Sequence, residues 1–233
     1  MVTCPAGSFT MGSPTDEIGR MTSENLHTVI LSEPFAIGKY EVTQAQYKSI
    51  TGKNPSQFTG KSKPVEKVSW SDAKEFCEKL NSEYSSSLPE GYKFDLPTGA
   101  QWEYACRAGT TTTLNSGNNL TSTTGECPNL NEVAWYGCFP TETTHPVGKK
   151  MPNQWGIYDM HGNVWEWCRD WYEDSPTYSV IDPTGPSKGS CRIIRGGSWR
   201  SNPWLCRAAY RSADANPNFR NPDIGFRLAL VPF

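Results

Sequence analysis

The sequence predicts an α+β fold of few short helices, small sheets and much irregular structure, and three observations lead there. The 233 residues include 20 Gly and 18 Pro against only 36% hydrophobic residues, so loops and turns rather than long helices must account for much of the chain. Three helices carry their own start and stop signals, and all are short. Beyond Val133, short runs of strand character alternate with Gly and Asn-Pro turn signals. A length inside the range of about 200–250 residues, without a composition break, predicts that residues 1–233 form a single domain. The 9 Trp, 10 Tyr and 9 Phe supply large buried areas that can anchor loops to a small core.

The first helix opens at the capping box Thr43-Gln44-Ala45-Gln46 and stops at Gly52. A second starts at Ser69 or Ser71 and places Ala73, Phe76, Cys77 and Leu80 on one face. The third is capped by Thr98 with Gln101 closing the box; Trp102, Ala105 and Cys106 form its inner face and Gly109 ends it. Residues 110–125 are a Thr, Asn, Ser and Gly segment without period, a surface loop. Residues 195–199 and 224–230 have the character of strands with tight glycine turns. Between them, residues 213–223 hold repeated Asn-Pro signals and almost nothing apolar. No internal repeat is present.

A net charge of −2 with both signs interspersed gives no basic stripe, so nucleic acid is not expected as a partner. Eight cysteines without a C-x-x-C pair point to disulfides in an oxidising compartment rather than to zinc. No apolar run is long enough to span a bilayer, and Met1-Val2-Thr3-Cys4 lacks the signature of an export signal; a signal or lipid anchor would lie outside these residues. His27, His145 and His161 have no H-x-x-x-H spacing, no G-x-S-x-G elbow frames a nucleophile, and Asp170, Glu173 and Asp174 have the character of a solvated turn.

Seven stretches together resemble the formylglycine-generating enzyme family, also called the sulfatase-modifying-factor domain. They are GSFTMGS (7–13), YEVTQAQY (40–47), PVEKVSWSDAKEFC (64–77), DLPTGAQWEYACRAG (95–109), HPVGKKMPNQWGIYDMHGNVWEWCRDW (145–171), RGGSW (195–199) and IGFRLA (224–229). The resemblance implies an elaborated C-type-lectin-like fold. It also implies where chemistry would sit: the family's enzymes hold copper with two cysteines just after the Gly-Gly-Ser-aromatic signature. Here Arg200, Ser201, Asn202, Pro203 and Trp204 follow that signature, and no cysteine takes either place. Counting back from Arg211 puts Cys206 beyond the second catalytic cysteine. A non-enzymatic protein without copper is therefore expected; the alternative is a copper-dependent formylglycine-generating oxidase with a displaced site.

Cys168 and Cys206 are expected to form a disulfide that staples the loop after Trp199. Cys77 and Cys106 match family cysteines whose partners are replaced by Leu228 and Ala208, which leaves them as buried thiols. Cys127 and Cys138 are a second candidate pair, and Cys4 and Cys191 have no assignment. The family's calcium positions fall on Asp159, Gly162, Val164 and Glu166, an all-oxygen set of two carboxylates and two carbonyls. A second family calcium site would begin near Asn129 and Leu130, without further ligands to complete it.

Arg200, Ser201, Asn202, Asp214, Asn216, Asn218, Phe219, Asn221 and Asp223 share a genetic property: each is Asn or is reachable from an Asn codon by changing adenines alone. Trp204 breaks the rule. With the missing catalytic cysteines, the pattern resembles the retroelement-diversified variable proteins, and it implies a variable ligand-binding region at residues 199–223. The chain is then expected to be a monomeric, extracytoplasmic, cell-surface receptor or adhesin whose partner is a protein or other surface ligand. The contact set comprises these nine residues and Trp204, all exposed, with Trp204 and Phe219 as anchors. Trp199, Cys206, Arg207, Tyr210, Gly225 and Phe226 should instead be structural. A bland alternative is a scaffold whose Asn-rich loop merely joins strands.

Overall fold

The computed structural model describes every residue except Pro140 and the side chain of Asp214. Among the described residues the strands are β1 (Val2–Cys4), β2 (Gly7–Met11), β3 (His27–Leu31), β4 (Phe35–Ile37), β5 (Tyr92–Asp95), β6 (Ala134–Trp135), β7 (His161–Gly162), β8 (Trp165–Trp171), β9 (Val180–Ile181), β10 (Arg192–Arg195), β11 (Ser212–Ala215), β12 (Ile224–Gly225) and β13 (Ala229–Pro232). The helices are α1 (Gln44–Thr51), α2 (Trp70–Glu83), α3 (Gly99–Arg107) and the single turn α4 (Pro128–Asn131). This is the α+β, loop-rich fold expected.

Helix boundaries follow the capping chemistry. Thr43, Ser69 and Thr98 each accept the amide of the third helical residue, whose side chain returns the bond. Ser69, not Ser71, opens α2. Its buried residues are Ala73, Phe76, Cys77 and Leu80, the i, i+3, i+4, i+7 spacing of one helix face. The third helix ends one residue earlier than expected, on Ala108 in the left-handed conformation (φ 46°). The sequence also hides α4, because one turn is too short to show a period.

One sheet runs β1-β4-β13-β5 and draws both ends of the chain together; a second runs β11-β10-β8-β12, with β12 parallel to β8. Smaller sheets are β2-β3-β9 and β6-β7. The second sheet carries the region of interest, because β10 leads into the loop after Trp199 and β12 follows it. Gly225 in β12 is obligatory: a Cβ there would come within 2.3 Å of the Val65 carbonyl oxygen.

Buried arginines tie the frame together, each fully enclosed. Arg195 reaches Glu103, which also receives Arg107 and the Gly12 amide. Arg207 forks onto Glu24 at 2.6 and 2.8 Å and reaches Glu17. Arg227 forks onto Glu166 at 2.6 Å to both oxygens and caps the carbonyls of Gly38, Tyr158 and Asp159.

The expected Cys168–Cys206 disulfide is absent; all eight cysteines are free thiols. The two belong to different packing groups. Cys168 lies with Trp102, Met160 and Ile193, whereas Cys206 lies with Leu114, Cys127, Leu130 and Tyr136, behind Gly197. The Arg207–Glu24 pair does the stapling instead, one residue further on. Cys127 and Cys138 are not joined either: the first thiol faces Thr121 and the second Asn131. Cys77 and Cys106 are buried thiols as expected.

Candidate binding surface

After β10, Gly196 and Gly197 take positive φ (90° and 75°) and turn the chain outward at Ser198. Ser198 anchors the loop. Its amide donates to Ser201 Oγ at 2.9 Å, and its hydroxyl reaches Ser201 Oγ at 3.0 Å and Asp223 Oδ2 at 3.2 Å. Arg200 donates its Nε to the same Asp223 oxygen at 2.7 Å. Trp199 stands edge-on to Phe58 at 5.4 Å and donates to the Pro222 carbonyl. The two ends of residues 199–223 are therefore cross-linked by hydrogen bonds rather than lying apart.

The ten expected contact residues divide into two sets. Arg200, Asn202, Asn216, Asn218 and Phe219 are exposed, Phe219 at 46%. Ser201 and Asp223 are buried, which corrects the expectation: both serve the Ser198 network, and one Asp223 oxygen has no partner. Trp204 is half-buried against Tyr210, edge-on at 5.3 Å, with its carbonyl bonded to Arg207, so it is not a free anchor. Asn221 is half-buried and gives its carbonyl to the amides of Lys67 and Ile224. The Asp214 side chain lies outside the described residues. The residues named as structural are as expected, with Arg207, Cys206 and Phe226 fully enclosed and Trp199 half-buried. Arg220, not foreseen, is exposed and grips both oxygens of Asp72.

Cys206, which lies beyond the places of the two catalytic cysteines, is fully buried, and burial pushes its thiol well up. His161 nearby donates its Nδ1 proton to the Cys206 carbonyl and accepts the Asn115 amide on Nε2. Burial depresses its pKa to about 4, so it stays neutral and structural.

The calcium group is more crowded than expected. Asp159 (φ 57°), Gly162 (φ 77°) and Asn163 (φ 61°) bend the chain sharply. Glu166 is already committed to Arg227 and to the Trp102 indole N–H at 2.6 Å. Asp159 accepts the Gly148 amide on one oxygen while the other is buried without a partner. Glu41 is the member the sequence did not reveal: it takes the Val164 amide and the Asn163 side chain. Its signal was an acid between Tyr40 and Val42 inside a family-like stretch. Burial raises Glu41 well above the ordinary carboxylate range, Asp159 and Glu166 adding to the effect, and burial lifts Asp159 to about 6. Three buried carboxylates lie around one arginine, and one of them, Asp159, keeps an oxygen without a partner, a hard donor of the kind a cation takes. Among the described residues, however, no group of three or more His, Cys, Asp or Glu is arranged to hold a metal ion. Asn129, named for a second site, bonds the Asn119 carbonyl.

The family model of the sulfatase-modifying factor enzyme 1-like domain matches residues 1–231. The chain belongs to this family. It is 33% identical to the chaperone protein LppX of Paenibacillus barcinonensis, over 86% of this chain and 81% of that one. It is 35% identical to the formylglycine-generating enzyme of Streptomyces coelicolor over 75% of this chain, but spans only 55% of that enzyme. Among solved structures it is similar to Treponema denticola variable protein 1: TM-score 0.87 and 34% identity, covering 100% of this chain and 95% of the other. The fold is thus of the formylglycine-generating-enzyme, C-type-lectin-like kind, in company with both enzymes and a variable protein.

Proposed function

We propose that this chain is a non-enzymatic binding protein that displays a variable recognition surface on its family's scaffold, as a monomer outside the cytoplasm. The observation that carries the reading is the loop after Trp199. Ser201 occupies a hydrogen-bonding role, Cys206 is a buried thiol behind the loop, and outward-facing Asn202, Asn218 and Phe219 present side chains that the frame does not use, with Arg200 and Asn216 exposed beside them but tied to Asp223 and to the Asn218 amide. A loop pinned at both ends can change its exposed side chains at little cost to the core. The full-length likeness to a variable protein supports the same reading. Among the described residues no helix is long and apolar enough to cross a membrane.

The competing reading, an oxidase, has the identity to a formylglycine-generating enzyme in its favour. Copper separates them. Titration with Cu(I) should leave the protein without a stoichiometric tight site, and oxygen uptake with a cysteine-containing peptide should stay at background. Tight one-to-one binding abolished by Cys206→Ser would establish the oxidase instead.

Calcium is part of the proposal as a structural ion, held by Asp159 and what Glu166 and the carbonyls of Gly162 and Val164 can still offer. It would supply the positive charge that Arg227 alone does not. Without it, the raised pKa of Asp159 gives stability that is complete below the ordinary carboxylate value and is lost as pH rises through about 6. A cation binding the ionised form reverses that loss. The melting temperature should therefore rise with free calcium, more at about pH 7.5 than at about pH 5. Asp159→Ala should remove the response, since it takes away the side-chain oxygen donors at that place; an unchanged response would place the ion elsewhere.

A further inference from the structure

The exposed residues of the proposed binding surface do not stand alone, because the loop of residues 53–67 packs along them. Phe58 meets Trp199, and the Lys67 amide donates to the Asn221 carbonyl at 3.1 Å. Lys63 Nζ sits 5.8 Å above the Phe58 ring and donates to Thr143 Oγ1 at 2.9 Å, not to a carboxylate. The two segments thus make one continuous face. Its charges are unequal. Asp72 and Asp223 are each spent on an arginine, Arg220 and Arg200 respectively. Glu66 is buried, accepts the Phe58 amide, and is held above the ordinary carboxylate range by that burial. Lys61, Lys63 and Lys67 form no direct ion pair among the described residues, although Lys67 and Lys63 are near enough to Glu66 to oppose the rise in its pKa, and Glu142 is the one exposed acid in the adjoining segment 141–147.

We infer that this face recognises an acidic protein surface, with Lys61, Lys63 and Lys67 meeting its carboxylates around the Phe58–Trp199 aromatic pair. The inference rests on the binding reading above and adds the partner's chemistry to it. The excess is local, in a chain whose net charge is −2, so general attraction to anions does not account for it. An aromatic centre flanked by cations suits a carboxylate-bearing protein, where apolar contact supplies affinity and charge supplies steering and selectivity. A nucleic acid would call for a longer track of free cations spaced to phosphates, and both arginines here are already forked or tied to acids.

The experiment is selection of a displayed random-peptide library on the intact protein, followed by binding of the enriched peptides to variants of unchanged melting temperature. Enriched peptides should be rich in Asp and Glu. Their affinity should fall about tenfold or more on Lys61→Glu/Lys63→Glu and weaken steeply with salt, because exposed charges are screened. Lys61→Ser/Lys63→Ser gives the same reading, in the same direction, if charge reversal disturbs folding. Peptides without acidic bias that still lose binding on Arg200→Ala/Phe219→Ala would overturn the acidic partner and leave the binding surface standing. Peptides indifferent to every one of these substitutions would sink the binding reading itself. A short DNA duplex that competes as well as decaglutamate would assign the face to nucleic acid and overturn the inference.

Discussion

Replacing Arg227 by Met should destabilise the fold by about 3–5 kcal/mol, the usual cost of removing one member of a buried ion pair. The guanidinium is fully enclosed and makes five hydrogen bonds, two to Glu166 and three to carbonyls of residues 38, 158 and 159. Its loss would leave Glu166 charged in a dry environment, with Glu41 and Asp159 beside it and no local cation. Urea denaturation measures the effect. The deficit should shrink as pH falls through about 6, because protonation of Asp159 removes charge that Arg227 compensates. The double variant Arg227→Met/Glu166→Gln should be less damaged than the single changes sum to, since each removes the other's burden. A loss under about 1 kcal/mol would show that the pair is not the tie the geometry suggests.

The same region shows what could be read in advance. Helix starts were legible because capping chemistry is local: Thr43, Ser69 and Thr98 announce themselves within four residues. So was the inner face of α2, where spacing alone selects Ala73, Phe76, Cys77 and Leu80. Long-range polar pairing was not legible. Nothing near Arg207 in sequence points to Glu24, which is 183 positions away, so a cysteine one residue earlier invited the wrong staple. Exposure failed for a related reason. The codon pattern marks residues able to vary, not those facing solvent, and Ser201 and Asp223 satisfy that pattern while pointing inward to Ser198. The local excess of positive charge was missed because the average charge hides it: Lys67 comes beside Asn221, next to Arg220 in the chain, only once the chain has folded.

Phe226→Ala should cost about 3–5 kcal/mol through the cavity it leaves, and the contrast with its neighbours is what tests the binding surface. Phe226 is fully buried, edge-on to Phe76 at 5.5 Å and to Tyr47 at 6.3 Å, at the junction of α1, α2 and the segment after β12. Neither ring can follow a vacated space without shifting its helix. Asn202, Asn218 and Phe219 are exposed, and alanine at each should change stability by no more than about 0.5 kcal/mol. Asn216 stands slightly apart, because its side chain accepts the Asn218 amide and shapes the turn. Ser201→Ala belongs between the extremes, at about 1–3 kcal/mol, since it leaves the buried Ser198 amide without its acceptor. Denaturant titration of the single variants, together with a library randomised only at Arg200, Asn202, Asn218 and Phe219, gives the result. Most members should keep the parent's midpoint, and a library that also varies Ser201 and Asp223 should lose a large fraction of folded members. If the exposed positions prove as costly as Phe226, they belong to the frame, and a surface that cannot vary cannot be the recognition site proposed for it.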